Sequence, residues 1–359
     1  MAAVLVCGGC GSTGSPSSAP ASAAATGVVL ATPVATARPS SSGAATAPTP
    51  SARLVVLPGE AWVVYQGGSG GPAKVRLVRP DGSDDHALAP DLGVGEQLHP
   101  DWSSDGLRLV FAADDSDGSR DIWTANVDGS SPLRIFDCAH PCAWADDPAW
   151  SPDGKTLLIQ VIAKTGNGSD GVGRLVTIDL ATGTTDVLLD TPPREYFFSP
   201  RWDLDGHRIA VQVDRFKTAA YDDEVVIAGT IGIVDLAAGE PAFAPLLPFD
   251  SRAGTPDWSP DGTRIAAVLP TSQEDPYGSA DLWLVPVDGG NPTQISFFGK
   301  TGGWAIQPSW SRTNDTIVFV GEDVVRTHPN LAFIQPDGSG LERLDDALFR
   351  THPRLRPVP

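Results

Sequence analysis

The sequence predicts an all-β protein, a six-bladed β-propeller of four-stranded antiparallel blades. A Pro-x-Trp motif recurs along the chain with its tryptophans 48, 52, 56 and 52 residues apart, at Trp102, Trp150, Trp202, Trp258 and Trp310. A repeat of roughly 40–50 residues is typical of a propeller or a solenoid. Short apolar runs separated by turn residues fill the intervals, and none has a 3.6-residue apolar period. We therefore expect strands and almost no helix.

Each repeat predicts four strands, which we call A to D in chain order. In the second repeat, Pro148–Ser151 is strand A and Pro152–Gly154 is a tight turn, since Pro presets φ and Gly accepts a positive φ. Apolar runs at Thr156–Val161 and Leu175–Leu180 give strands B and C, and Asp186–Leu189 gives strand D.

The two ends of the propeller segment complete one unit. Residues 61–88 supply strands B, C and D with no strand A motif before them. The motif returns at the other end as His352-Pro-Arg-Leu355, with Leu355 in the Trp position. We therefore expect the C-terminal strand to complete the N-terminal blade and close the ring, which removes free sheet edges. Alternatively, Arg53–Leu57 supplies the first strand A.

Composition and the N-terminal segment indicate where in the cell the protein is located and which partners are excluded. A formal charge of −19 disfavours nucleic acid as a partner, and no apolar run approaches the ~18 residues of a membrane span. Residues 1–10 resemble the end of a bacterial lipoprotein signal, truncated and without a basic region, in which Cys10, or else Cys7, carries the lipid. Residues 11–52, rich in Ser, Thr, Ala and Pro, predict a disordered tether. We expect an extracytoplasmic monomer, attached to the membrane only by this lipid.

The remaining cysteines, Cys138 and Cys142, flank Ala-His-Pro. In an oxidising compartment this spacing favours a small disulfide loop. A metal clip that includes His140, and a pair of free thiols, remain the alternatives.

The Pro-x-Trp-Ser-Pro-Asp-Gly motif, seen at Pro256–Gly262, and the later Leu/Ile-Trp and Asp-Gly pairs resemble the repeat of TolB-type (WD40-like, PD40) β-propellers over residues 53–359. In that family the repeat is structural. The resemblance implies an extracytoplasmic protein that binds other envelope proteins, and it implies no reaction.

Loop lengths predict the working face. Connections B–C and D–A open on one side, here called the loop face, and connections A–B and C–D open on the other, the turn face. The long connections fall on the loop face, where binding residues usually lie. Its candidate partner-binding residues, for an envelope protein or a glycan, are aromatic and acidic: Trp144, Phe216, Tyr221, Asp222, Asp223, Tyr277 and Trp304.

The residue before each strand A proline is polar in all six units, and we expect these residues to surround the mouth of the central channel: His99, Asp147, Ser199, Thr255, Gln307 and His352. Two histidines and a carboxylate, His99, His352 and Asp147, are competent ligands for a divalent metal. Propeller lyases of pectic sugars, similar in repeat type, bind a metal through channel histidines. The sequence therefore predicts a binding module without catalysis or cofactor, with a metal-dependent carbohydrate lyase or hydrolase as the alternative.

Overall fold

The computed structural model describes residues 59–68, 71–88, 92–115, 118–164, 171–218, 225–272, 278–313, 315–323, 329–344 and 348–357. The chain divides into residues 1–52 and 53–359. The predicted lipoprotein signal (1–10), the tether (11–52) and the alternative first strand at 53–57 lie outside the described residues.

The described residues form β-strands and two short 3-10 helices, Phe249–Ser251 and Phe298–Thr301. Four sheets have four strands each. The first holds, in spatial order, β24 (Arg350–Leu355), β1 (Val63–Gly67), β2 (Lys74–Val78) and β3 (His86–Ala87). The second holds β4 (Gln97–Trp102), β5 (Arg108–Asp114), β6 (Arg120–Asn126) and β7 (Leu133–Phe136). The third holds β8 (Cys142–Trp150), β9 (Thr156–Lys164), β10 (Gly171–Asp179) and β11 (Thr185–Asp190). The fourth holds β12 (Glu195–Trp202), β13 (Arg208–Phe216), β14 (Val226–Asp235) and β15 (Phe243–Pro245).

The remaining strands form one eight-stranded sheet rather than two separate blades. It contains β16 (Gly254–Trp258), β17 (Arg264–Pro270), β18 (Ala280–Pro286), β19 (Thr293–Gln294), β20 (Trp304–Trp310), β21 (Ile317–Glu322), β22 (Asn330–Ile334) and β23 (Glu342–Arg343). Within each half the strands pair antiparallel, and a single parallel pair, Ala280 with Trp304, joins the halves. The all-β prediction is confirmed.

The C-terminal strand completes the first sheet, as the sequence predicted. Strand β24 pairs antiparallel with β1, placing Leu355 opposite Val63 and Arg350 opposite Gly67. Strands β4, β8, β12, β16, β20 and β24, here called the inner strands, each contact the next in this order, and β24 contacts β4. The inner strands therefore form a closed ring around a central channel.

The motif tryptophans hold neighbouring sheets together. Each is at least 92% buried, and each packs in an apolar cluster shared with the preceding sheet or half-sheet. Trp150, for example, packs with Val110 and Ile122 of the second sheet and with Leu157 of its own. Leu355 takes the equivalent place against Val318 and Phe333. Burying a large aromatic side chain contributes on the order of 2–3 kcal/mol, so these contacts are a main source of the ring's stability.

The residues after each Trp explain the rest of the motif. Ser151 Oγ donates a hydrogen bond to Asp153 Oδ1 at 2.7 Å and accepts one from the backbone N–H of Thr156 at 2.9 Å. Gly154 has a φ of 72°, a left-handed conformation that glycine adopts without a steric penalty. The same Ser–Asp bond recurs at Ser103–Asp105 and Ser259–Asp261.

A buried charge fixes the closing strand. Arg350 is fully buried, and its guanidinium bonds to Asp85 Oδ2 at 2.7 Å and to Asn330 Oδ1 at 3.0 Å, while it lies over the ring of Tyr65. Asp85 also accepts hydrogen bonds from Tyr65 and Arg76. Burial, followed by the bond to Asp85, raises the pKa of Tyr65 to about 12.

The described residues contain no helix with the length and apolarity that a membrane crossing requires.

Replacing Arg350 should destabilise the ring more than replacing an exposed charged residue does. In Arg350→Met the methionine fills part of the volume but leaves Asp85 with fewer cationic partners in a buried site. Breaking a buried ion pair costs about 3–5 kcal/mol, so we expect a clear fall in the urea midpoint. The control is Lys155→Gln, which removes an exposed partner of Asp153 and should change the midpoint little. Equal midpoints for the two variants would contradict the assigned role of Arg350.

Candidate functional site

The six pre-proline residues occupy equivalent positions on the inner strands. All have a left-handed backbone, with φ between 46° and 56°. This conformation is uncommon for residues other than glycine and is further restricted before proline. Five inner strands change register with their partner at this point, and β1 changes register opposite His352. Each position is thus a β-bulge that turns a backbone N–H out of the sheet ladder.

At five of the six bulges, a side-chain oxygen accepts a hydrogen bond from the backbone N–H that the bulge turns out of the ladder. In four cases the acceptor comes from the neighbouring sheet or half-sheet: Gln66 to His99 (3.3 Å), Asp147 to Ser199 (2.8 Å), Gln212 to Thr255 (2.8 Å) and Gln307 to His352 (2.8 Å). The backbone N–H of Asp147 donates to Oδ1 of its neighbour Asp146 at 2.9 Å. Several polar residues of the channel mouth therefore join adjacent sheets, a structural role.

The pKa values of two histidines at the channel mouth are shifted in opposite directions. Their ring centroids lie 4.1 Å apart. His99 Nδ1 donates to Asp146 Oδ1 at 2.6 Å, and Asp147 Oδ1 is 3.5 Å away. Burial lowers the pKa of His99, but the charges of Asp146 and Asp147 outweigh it, and the net pKa is raised. Burial and the neighbouring His99 charge hold the pKa of His352 well below its usual value.

Asp146 is the centre of this charge network, since it bonds to both His99 and Arg120. Burial opposes its ionisation, but His99 and Arg120 together hold its pKa below the usual range. Arg120 also bonds to Asp114 at 2.7 Å, and its pKa is raised because these carboxylates outweigh its burial. Asp146 and Arg120 lie in different strands, so only the folded chain reveals their pairing.

The predicted metal-ligand set is not assembled. His99 Nδ1 is engaged by Asp146, and the ring of His352 accepts a hydrogen bond from Gln307 Nε2 at 2.7 Å. Among the residues that the structure describes, no group of three His, Cys, Asp or Glu is placed to hold a metal ion. The alternative function as a metal-dependent lyase or hydrolase gains no preformed ligand set from this geometry.

The predicted loop-face residues fall into three groups. Trp144 is 38% exposed, and Trp304 is half-buried at the start of β20. Phe216 was expected to be exposed, but it is buried against Tyr196 and Ile162, because β13 continues to this residue instead of ending earlier. Tyr221, Asp222, Asp223 and Tyr277 lie outside the described residues. Near Trp144, Cys138 and Cys142 form a disulfide at the start of β8.

Exposed aromatic side chains are concentrated on the loop face. Among the described residues they are Trp144, Phe297 and Phe349, which are 38–50% exposed. Phe297 and Phe349 lie in D–A connections, and Trp144 lies near the loop-face end of β8. The turn face presents exposed leucines instead: Leu107, Leu133 and Leu341.

Buried aspartates hold two of the D–A connections in place. Asp281 is fully buried and accepts hydrogen bonds from Ser296 Oγ (2.8 Å) and from the backbone N–H of Phe298 (2.7 Å). Asp121 occupies the same position in β6 and accepts from the N–H of Cys138 at 2.8 Å. The shared Asp-Ile/Leu-Trp sequence of these strands is a signal from which both anchors could have been predicted.

No protein-family model matches this chain. Uncharacterized protein Atu1656 of Agrobacterium fabrum is 32% identical over 120 residues, which are 33% of this chain and 40% of that protein. The uncharacterized peptidase YuxL of Bacillus subtilis is 27% identical over 78 residues, 22% of this chain and 11% of that protein. The chain thus spans less than half the length of either curated relative.

Solved structures give the class of the described unit. TolB from Acinetobacter baumannii aligns with a TM-score of 0.62 at 17% identity over 83% of this chain and 67% of that chain. A putative TolB from Agrobacterium tumefaciens aligns with a TM-score of 0.56 at 19% identity over 84% and 99%. Kuenenia stuttgartiensis hydrazine synthase aligns with a TM-score of 0.62 at 13% identity over 83% and 47%. The unit is a β-propeller. Its fold is that of the TolB-type propellers.

The two channel histidines should affect stability with opposite pH dependence. His99 has a raised pKa when folded, so its contribution is present below ~6.5 and is lost as the pH rises through the folded pKa. His352 has a depressed pKa, so its contribution is present above ~6.5 and is lost as the pH falls. We expect His99→Gln to move the pH of maximal Tm upward and His352→Gln to move it downward.

The measurement is the Tm of each variant from pH 5 to pH 8. A change of about 1 kcal/mol corresponds to about 2–4 °C in Tm for a chain of this size. The control is His140→Gln, which alters an exposed residue of the disulfide loop. Shifts of the same sign for His99→Gln and His352→Gln would show that the charge assignment is wrong.

Proposed function

We propose that the chain is an extracytoplasmic binding module that captures a protein or glycan partner on its loop face, with no catalysis of its own. The observation that carries this proposal is the placement of Trp144, Phe297 and Phe349 on that face. Exposed aromatics are the side chains that most often dominate binding energy at an interface. The TolB-type fold is a rigid support for such a surface, and fold alone assigns no reaction.

The contrast between faces supports a binding role for the loop face. Two of its connections are anchored by Asp121 and Asp281, so a partner meets a pre-organised surface there and less ordering entropy is lost on binding. Lys300 lies 4.1 Å from the ring centre of Phe297, which places a cation beside an exposed aromatic. The chain's charge of −19 favours partners with basic surfaces.

We infer further that the ring contains six blades, with the eight-stranded sheet counted as two. The halves of that sheet share a single residue pair, which is weaker than the antiparallel ladders within each half. The six left-handed pre-proline residues also support this count.

Removing the loop-face aromatics should weaken partner capture. The test variant carries Trp144→Ser, Phe297→Ser and Phe349→Ser. The matched control carries Leu107→Ser, Leu133→Ser and Leu341→Ser, which remove exposed apolar side chains from the turn face. The full chain of each form is immobilised and exposed to solubilised envelope proteins and to a glycan array.

We expect ligands of the wild type to bind the control normally and to bind the aromatic variant at least about tenfold more weakly, because interface hot spots are worth ~2 kcal/mol or more each. Thermal unfolding confirms that both variants are folded. An unchanged ligand set for the aromatic variant, or equal losses in the two variants, would place the binding surface elsewhere.

The extracytoplasmic location and lipid anchor are part of the same proposal. The disulfide between Cys138 and Cys142 supports an oxidising compartment. In cells that express the chain from its own gene, Cys10→Ser should move the protein from the detergent phase to the aqueous phase. Cys7→Ser is the matched control and should leave it in the detergent phase. An aqueous wild-type protein would overturn the anchor.

A further inference from the structure

A second ring of residues, four of them charged, lies two positions after the pre-proline residues, between the proline and the Trp or Leu of each motif. In ring order from β24 these residues are Arg354, Asp101, Ala149, Arg201, Asp257 and Ser309. The order Arg, Asp, small residue therefore occurs twice around the channel. The two halves of the ring are related by an approximate twofold pattern of charge.

Hydrogen bonds repeat with the same pattern. Trp102 Nε1 donates to the carbonyl of Arg354 at 3.0 Å, and Trp258 Nε1 donates to the carbonyl of Arg201 at 3.0 Å. The carboxylates are held alike, since Asp101 accepts from the backbone N–H of Trp150 at 2.9 Å and Asp257 from that of Trp310 at 2.7 Å. The agreement of both bonds shows that the two halves of the ring hold these charges in the same way.

All of these residues except Ala149 line a pocket on the turn-face side of the channel, together with Arg312 and four of the five motif tryptophans. The pocket is therefore distinct from the histidine-bearing mouth and from the loop face. Three guanidinium groups, those of Arg201, Arg312 and Arg354, face two carboxylates, those of Asp101 and Asp257. The excess charge is positive, although the chain as a whole is strongly acidic.

The two arginines of the ring retain unused donors. Arg201 is 5% exposed and Arg354 is 6% exposed. Each donates through Nη1 to the carbonyl of the proline before it, at 2.7 Å from Pro200 and 3.0 Å from Pro353. Within the described residues, the Nε atom of neither arginine has an acceptor. Buried donors normally have acceptors, so these unpaired Nε groups leave the positive charge of both arginines incompletely compensated.

Protonation of one carboxylate would increase the excess positive charge. Burial raises the pKa of Asp257 to about 6, although Arg201 and Arg312 lower it; Asp101 raises it further. Burial also raises the pKa of Asp101, against the same two arginines. Below pH ~6 the pocket therefore carries three positive charges against fewer negative ones.

We propose that this pocket binds a small oxyanion, either a carboxylate or an inorganic oxyanion, between Arg201 and Arg354, with the half-buried Arg312 adding charge. The anion accepts hydrogen bonds from the guanidinium groups that line the pocket, including that of Arg312. Charge-assisted bonds of this kind are about twice as strong as neutral ones. The site is separate from the proposed partner surface, so either proposal can fail without the other.

The test is calorimetric titration of the full chain with sodium sulfate and with sodium acetate, at constant ionic strength, at pH 5.5 and pH 7.5. We expect saturable binding of at least one anion, tighter at pH 5.5. Binding of acetate alone assigns a carboxylate ligand, and binding of sulfate alone assigns an inorganic oxyanion. Arg312→Gln should weaken the binding about tenfold, the loss expected when one charge-assisted bond is removed. The control Arg194→Gln removes an exposed arginine on the loop face and should not change it.

A second variant changes the affinity in the opposite direction. Asp257→Asn keeps an acceptor for the N–H of Trp310 but removes the titrating charge, so binding at pH 7.5 should approach that of the wild type at pH 5.5. Absence of saturable binding of either anion at both pH values would overturn the proposal. So would equal losses in Arg312→Gln and Arg194→Gln, or an Asp257→Asn variant with the pH dependence of the wild type.

Discussion

The structure depends on the packing of one large side chain at the inner edge of each sheet against the sheet before it. Trp102, Trp150, Trp202, Trp258 and Trp310 fill five of these places, and Leu355 fills the sixth. Arginines at the start of the second strand reinforce several contacts, since Arg108 and Arg208 lie over the rings of Trp150 and Trp258 at 4.6 Å and 4.5 Å. A cation over an aromatic face adds about 0.5–2 kcal/mol. Because the ring has no free end, loss of one contact weakens both neighbours.

The side chain in the sixth place comes from the opposite end of the propeller segment from β1. Leu355 is smaller than Trp, so β24 buries less surface at this position than the other inner strands. The buried Arg350 compensates by linking the strand to Asp85 of the first sheet and Asn330 of the last. At the closing junction a buried ion pair therefore adds to the apolar contacts of the smaller side chain.

The sequence was sufficient to predict the features that repeat. The tryptophans, the Ser-Pro-Asp-Gly turns and the return of the motif at His352 predicted the inner strands, the tight turns and the closing pair. Features that depend on where a strand ends were harder to predict from the sequence. Phe216 was expected in a loop, but β13 extends to it, so the side chain packs against Tyr196. The count of separate sheets also differs, because one residue pair joins β18 to β20.

The channel residues illustrate a second limit of prediction from the sequence, which is that contacts between distant strands are not visible in it. The six pre-proline positions could be aligned by register, but their left-handed backbone could not be seen in the sequence, because it follows from how the bulges pack. Asp146 raises the pKa of His99 and is itself paired with Arg120, although the three residues lie in different strands. The Arg–Asp pattern of the second ring was present in the same register, between Pro and Trp. That this pattern forms a charged pocket could not be predicted, because the pocket exists only when the closed ring places Arg354 beside Asp101.

Closure by the C-terminal strand is the central claim, and hydrogen exchange measured by mass spectrometry tests it most directly. If β24 completes the first sheet, amides of residues 350–355 and 63–67 should be protected to a similar degree as those of β5, and Arg350→Met should expose both segments together. Rapid exchange of residues 350–355 in the wild type, with residues 63–67 still protected, would contradict a closed ring.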